Sequence, residues 1–172
     1  MAQNKLIKLG YKNDEGRIPV TLLLDGWQRI DELQKNNPDN RDVFIAMSFR
    51  AENDKIREAI KEGIVRAGYS PEFMDEIIHN QQIVPEMFRL IREAKLLILE
   101  ISDPNYGSYL EAGYAMALGK EVIVCCKQEV FDKKYERYLK PHFDIVQKQI
   151  LKWDNPDDLA NKLSEWIKAI AG

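Results

Sequence analysis

"LLILEISDPNYGSYLEAGYAMALGKEVIVCC", Leu96 to Cys126, is the stretch that decides how this chain folds. "LLILEIS" is nearly all apolar, the pattern of a strand covered on both faces. Asp103, Pro104, Asn105 and Gly107 then make a tight turn whose backbone can approach another group closely. "SYLEAGYAMALG" reads as a helix stopped by Gly119, and "EVIVCCK" as a second buried strand. Two apolar strands joined by a helix run parallel, because an antiparallel pair needs only a hairpin. One residue is out of keeping with the packing. Glu111 lies among Tyr109, Leu110, Ala112 and Tyr114, about one turn inside the helix. Ala115 and Gly119 follow on its own face and leave room above the carboxylate. A glutamate placed early in a helix by the macrodipole is the plain alternative.

The same alternation extends in both directions. "DVFIAMSF" is an apolar run suited to a central strand. "NDKIREAIKEGIVRAG" carries Ile56, Ile60 and Ile64 on one face and ends at Gly68. "YSPEFMD" is a short strand, and Pro71 places it at a sheet edge because proline lacks the ladder donor. "VPEMFRLIREA" is a helix with Pro85 in its first turn. After Cys126, "VFDKKYERYL" suggests a short helix and "FDIVQKQILKW" a fifth, interrupted strand. "NPDDLANKLSEWIKAIAG" closes the chain as a helix capped near Asn155, with Leu159, Leu163 and Ile167 inward. The sum is an α/β, flavodoxin/Rossmann-like three-layer sandwich with about five parallel strands.

Residues 1–40 differ from this pattern. "KLIKLGY" and "IPVTLLL", separated by "KNDEGR", suggest a β-hairpin. "DGWQRIDELQKN" follows with Asp25 as cap and Trp27, Ile30 and Leu33 at helical spacing, and "NNPDNR" breaks it. We therefore expect a hairpin-plus-helix extension over 1–40 and the α/β domain over 41–172.

Composition narrows the function classes. The 172 residues are 45% hydrophobic and 31% charged, with a formal net charge of −3, as in a water-soluble globular protein. No basic face is evident, which argues against nucleic-acid binding. No apolar run is long enough to span a bilayer, and "MAQNKLIKLG" lacks a signal-like core, so the expected location is cytoplasmic. Cys125 and Cys126 are neighbours on a strand and point to opposite faces, which disfavours a mutual disulfide. They read as small buried hydrophobes.

Ligands in such folds bind outside the carboxyl ends of the strands, which directs attention to three loops. Ala46, Met47, Ser48, Phe49 and Arg50 end the first strand. The hydroxyl, amides and guanidinium there suit a phosphate or sugar hydroxyl, with a simple helix-capping loop as the alternative. No GxGxxG or Walker motif is present, and no cofactor is expected. After the second strand come Asp75, Glu76 and His79, whose spacing leaves a metal site incomplete, so none is expected there. After the third strand come Ser102, Asn105, Tyr106, Gly107, Ser108 and the helix bearing Glu111.

"FIAMSF", "LLILEISD" and "YLEAGYAMALGKEVIV" together resemble the nucleoside 2-deoxyribosyltransferase-like superfamily, in which an E-x-G-Y/R-A helix follows the third strand, here "EAGYA". "TLLLDGWQRIDEL" and "HFDIVQKQILKW" are similar to a bacterial branch with an N-terminal extension. The resemblance covers roughly residues 19–168, and TIR domains are more distant relatives. It implies N-glycosidic chemistry on a nucleoside, a nucleotide or NAD. Glu111 would be the nucleophile at the anomeric carbon, and Asp75 the acidic residue beside the base. Ser48, Ser102 and the Asn105–Ser108 turn would hold the sugar or its 5′-phosphate, with Tyr106 or Tyr109 beside it. The resemblance further implies a homo-oligomer, for which Met87, Phe88, Tyr114 and Met116 are candidate interface or core residues. An NAD glycohydrolase and a nucleotide-binding sensor without turnover are the rival expectations. The chain has "EIS" at Glu100–Ser102 where the family has Asp-Val/Ile-Thr, and it lacks a Gly-rich first loop.

Overall fold

A computed structural model describes residues 7–12, 16–18, 20–23, 26, 29, 40–73, 83–103, 105–132 and 149–171. The chain divides into two compact units, Met1–Asp39 and Asn40–Gly172, each described by itself. In the first, β1 (Ile7–Leu9) and β2 (Val20–Leu22) form an antiparallel pair in which Leu9 faces Val20. Asp25, Trp27, Ile30 and Leu33 of the expected helix lie outside the described residues.

The second unit is an α/β sandwich of flavodoxin-like fold. Its elements are β3 (Asp42–Ala46), α1 (Asp54–Arg66), β4 (Ser70–Glu72), α2 (Ile83–Glu93), β5 (Leu96–Glu100) and α3 (Tyr106–Ala117). They continue with β6 (Glu121–Lys127), α4 (Gln128–Asp132), β7 (Ile150–Trp153) and α5 (Pro156–Ala171). A 3₁₀ turn, Ala51–Asn53, precedes α1. The five strands lie in the order β4-β3-β5-β6-β7, every pair parallel. β4 is an edge strand, which accommodates Pro71 opposite Val43. It spans only three residues, shorter than "YSPEFMD" suggests.

Alternation along the strands builds two cores. Val43, Ile45, Leu96, Ile98, Ile123 and Cys125 face Ile60 and Ile64 of α1 and Leu159, Leu163 and Ile167 of α5. Phe44, Leu97, Leu99, Val124 and Cys126 face Ile91 of α2 and Ala112 and Ala115 of α3. Cys125 and Cys126 thus point to opposite faces, and both are free thiols. Helices α1 and α5 meet closely at Gly63, where an added Cβ would stand 2.8 Å from the Ala160 carbonyl oxygen. Gly68 and Gly119 end α1 and α3 at φ +84° and +70°, conformations that favour glycine. The Asn155 side chain accepts from the Asp158 N–H at 3.0 Å and caps α5.

The strand order reverses between β3 and β5. The loops after these strands therefore part to opposite faces and leave a crevice at the carboxyl end of the sheet. Among the described residues no helix is long and apolar enough to cross a membrane.

Candidate active site at the β3/β5 crevice

The loops after β3 and β5 are tied together across this crevice. Asp103 accepts from Arg50 Nη1 at 3.2 Å and from Asn53 Nδ2 at 2.9 Å. The Asn53 amide also donates to the Ser48 carbonyl at 3.1 Å. The Ser48 hydroxyl beside Asp103, then Asn53 and Arg50, hold the Asp103 carboxyl below its usual range despite partial burial. Asn105 Nδ2 donates to the Met47 carbonyl at 3.2 Å, while its Oδ1 accepts from the Gly107 N–H at 2.9 Å. Asn105 is therefore the N-cap of α3 as well as a stitch to β3.

Glu111 sits in the second turn of α3. Ser108, Glu111, Ala112 and Ala115 share one face of the helix, and Ser108, Ala112 and Ala115 are buried. Glu111 itself is half-buried, and no described residue hydrogen-bonds its carboxylate. Loss of solvent is the cause that pushes its pKa from 4.5 up to about 7. One turn earlier, the Ser108 hydroxyl is closed to solvent and has no hydrogen-bond partner among the described residues. An acceptor without a donor and a hydroxyl without a partner, on one face of a helix, suit a polar ligand.

Phe49 is 42% exposed at the mouth, and its ring meets Phe73 edge-on at 6.2 Å between centroids. The Arg57 guanidinium lies over both rings, 4.4 Å from Phe73 and 5.5 Å from Phe49. This places an aromatic and a cation beside the crevice, where a planar base can stack.

Hydrogen bonds bring Arg50, Asn53 and Asp103 together and join Asn105 to Met47, and Tyr106, Gly107, Ser108 and Glu111 follow Asn105 along α3. Ala46 and Met47 are different: both side chains are buried in the two cores, and the Met47 carbonyl is already engaged by Asn105. Ser102 is half-buried, and its hydroxyl is used within the protein, as donor to Glu100 and acceptor from the Lys127 N–H. Tyr106 and Gly107 are exposed. Asp75, Glu76 and His79 lie outside the described residues, so the acid side of the site rests on sequence alone. Met87 belongs to the core, and Phe88 packs on Tyr114 at 4.5 Å between α2 and α3, with Met116 half-buried against the same cluster. Sequence reasoning took Asp103 for a turn residue and did not single out Asn53 or Arg57.

These elements define an α/β protein of flavodoxin-like fold with a candidate carboxylate site at its switch point. No family model matches the chain, and no curated protein matches its sequence. Among solved structures it is similar to the CMP N-glycosidase BcmB of Clostridium botulinum. That likeness has 18% identity and a TM-score of 0.51, over 73% of this chain and 98% of the other. It is also similar to a flavodoxin-like domain from Synechococcus sp., at 12% identity and a TM-score of 0.43 over 74% and 99% of the two chains. At 18% identity the first of these likenesses bears on the fold alone.

Proposed function

We propose that this protein cleaves or transfers the N-glycosidic bond of a nucleoside or nucleotide, with Glu111 as nucleophile. The observation that carries the reading is a half-buried carboxylate on the helix after β5, without a hydrogen-bond partner among the described residues and with its pKa raised to about 7. The fold it shares with a CMP N-glycosidase supports the same class.

In this reading a Glu111 carboxylate oxygen bonds to C1′ as the C1′–N bond breaks. The electron pair leaves with the base, which takes a proton from an acid, the role we give Asp75. Water or a second base then attacks C1′ and frees Glu111. The transition state carries positive charge on the sugar, and a carboxylate in a poorly solvated site stabilises it more than one in water does. Attack requires the ionised form, so turnover rises as pH climbs through about 7. We place the sugar or its phosphate at the first turn of α3, where the buried Ser108 hydroxyl has unspent hydrogen-bonding capacity among the described residues, and stack the base on Phe49. Tyr106 and Leu110, exposed on α3 at 92% and 60%, support self-association, which light scattering tests.

The test is base release from deoxynucleosides, nucleoside monophosphates and NAD, followed by chromatography. Release that Glu111→Gln abolishes supports the reading. Nicotinamide, with ADP-ribose, as the only release from the panel favours the NAD glycohydrolase. Tight nucleotide binding without release from any substrate favours a sensor and overturns the enzyme.

A further inference from the structure

Glu100 is a buried acid for which the proposed chemistry has no use. It ends β5 with 2% of its surface exposed. By strand alternation it shares the α1/α5 face with Leu96 and Ile98, whereas Glu111 belongs to the α2/α3 side. Glu100 is buried on the α1/α5 side, and its carboxylate is taken up by Ser102. Its surroundings are Cys125, Cys126, Trp153, Ser102 and, further off, Asp103.

Its hydrogen bonds all run one way. The two carboxylate oxygens accept from the Ser102 N–H at 3.2 and 3.1 Å, and the Ser102 hydroxyl donates to Oε1. That hydroxyl in turn accepts from the Lys127 N–H, at the end of β6, at 2.7 Å. The Trp153 indole N–H comes from β7, the strand beyond β6. It stabilises the carboxylate without reaching hydrogen-bond geometry. Ser102 is the point where the chain leaves the sheet: the residue before it, Ile101, still donates to the Cys125 carbonyl at 3.0 Å. The residue after it, Asp103, is already tied to Arg50 and Asn53. Asn105, two residues further on, caps the helix that bears Glu111.

We propose that Glu100 is a positioning residue: through Ser102 it fixes the direction in which the chain leaves β5, and so places Asp103, Asn105 and the first turns of α3 with Glu111. An apolar residue of the same size fills this space at lower cost, since a buried carboxylate loses its hydration. What an apolar residue does not supply is the pair of acceptors that orient Ser102. The same link engages the Ser102 hydroxyl within the protein, as donor to Glu100 and acceptor from the Lys127 N–H.

The test uses the full chain without ligand. Glu100→Met keeps the volume and removes both acceptors; Ser102→Ala removes the other partner. Amide hydrogen exchange by NMR is followed at Gly107, whose N–H is held by Asn105, and at Tyr69 and Leu159 as remote controls. Both variants are expected to exchange at Gly107 at least about ten times faster, with the controls unmoved. The double variant is expected to be no faster than the faster single, because the two residues act through one link. Exchange at Gly107 unchanged in either folded variant, or additive effects in the double, overturns the proposal. Should Glu100→Met fail to fold, Ser102→Ala and Ser102→Thr carry the same test, with Thr expected to restore protection.

The activity arm rests on the glycosidic reading. There kcat is expected to fall on the order of 10–100-fold while KM moves less than about threefold, because displacement rather than lost contact is the defect. A wild-type protein that releases no base overturns that reading only, and the exchange measurement still decides the role of Glu100.

Discussion

Glu100 and Glu111 stand at the same end of the sheet on opposite faces of β5, and burial pushes both carboxyls to a pKa of about 7. Their neighbourhoods differ. Glu100 is walled in by Cys125 and Trp153 and spends its oxygens on Ser102. Glu111 looks over small side chains, has no hydrogen-bond partner among the described residues, and shares its helix face with an unpartnered hydroxyl. A raised pKa alone therefore does not mark a site here; the unspent hydrogen-bonding capacity beside a crevice does. The two faces also differ in packing. On the α1/α5 side the helices close to backbone contact at Gly63, whereas nothing lies within 4 Å of a Cβ added at Gly113 on α3.

The largest expected effect separates the two acids by chemistry. Glu111→Gln is expected to lower base release by at least about 10³-fold. It leaves the urea midpoint at pH 8 unchanged or slightly higher, since it removes a half-buried charge. Equal loss of activity and stability would break the contrast.

The second effect is a pH dependence of stability. An acid whose pKa is higher in the folded state binds its proton more tightly there. Its contribution is greatest below the unfolded value of about 4.5 and is lost as pH rises through about 7. For Glu100 this amounts to about 3 kcal/mol between those limits. Half-exposed Glu111 adds less, because solvent screens it. Urea denaturation at pH 5 and pH 8 should show the loss in the wild type and a much smaller one in Glu100→Met.

Next comes packing. Gly63→Ala drives a methyl into the Ala160 backbone and is expected to cost about 1–3 kcal/mol, read from the urea midpoint. Asn105→Ala removes the α3 cap and the stitch to Met47, for about 1 kcal/mol, with a larger share of the damage in kcat than in stability. The smallest effect has the opposite sign. Gly113→Ala, in open helix, should stabilise by about 0.5–1 kcal/mol in thermal unfolding.

The sequence reading is strongest where the signal is local. Unbroken apolar runs marked the strands, Pro71 pointed to the edge of the sheet, and Gly68 and Gly119 marked helix ends that require positive φ. Glu111 stood out because a charge interrupts an otherwise apolar helix. The rest depends on which strands are neighbours. Asp103 meets Arg50 and Asn53 only because β5 lies next to β3, and no periodicity in the chain carries that order. Asn53 drew no notice in the sequence, yet its amide bridges two loops. Glu100 read as the tail of a strand, and Ser102 as a candidate contact to the sugar at that tail. Their bond to the end of β6 exists only in the folded sheet.

The most direct measurement is base release by the wild-type protein and by Glu111→Gln from the same panel of deoxynucleosides, nucleoside monophosphates and NAD. Glycosidic chemistry at Glu111 requires release from at least one substrate by the wild type, rising with pH through about 7, and none measurable from the variant. Release by the variant within tenfold of the wild type, or none by either across the panel, would contradict it.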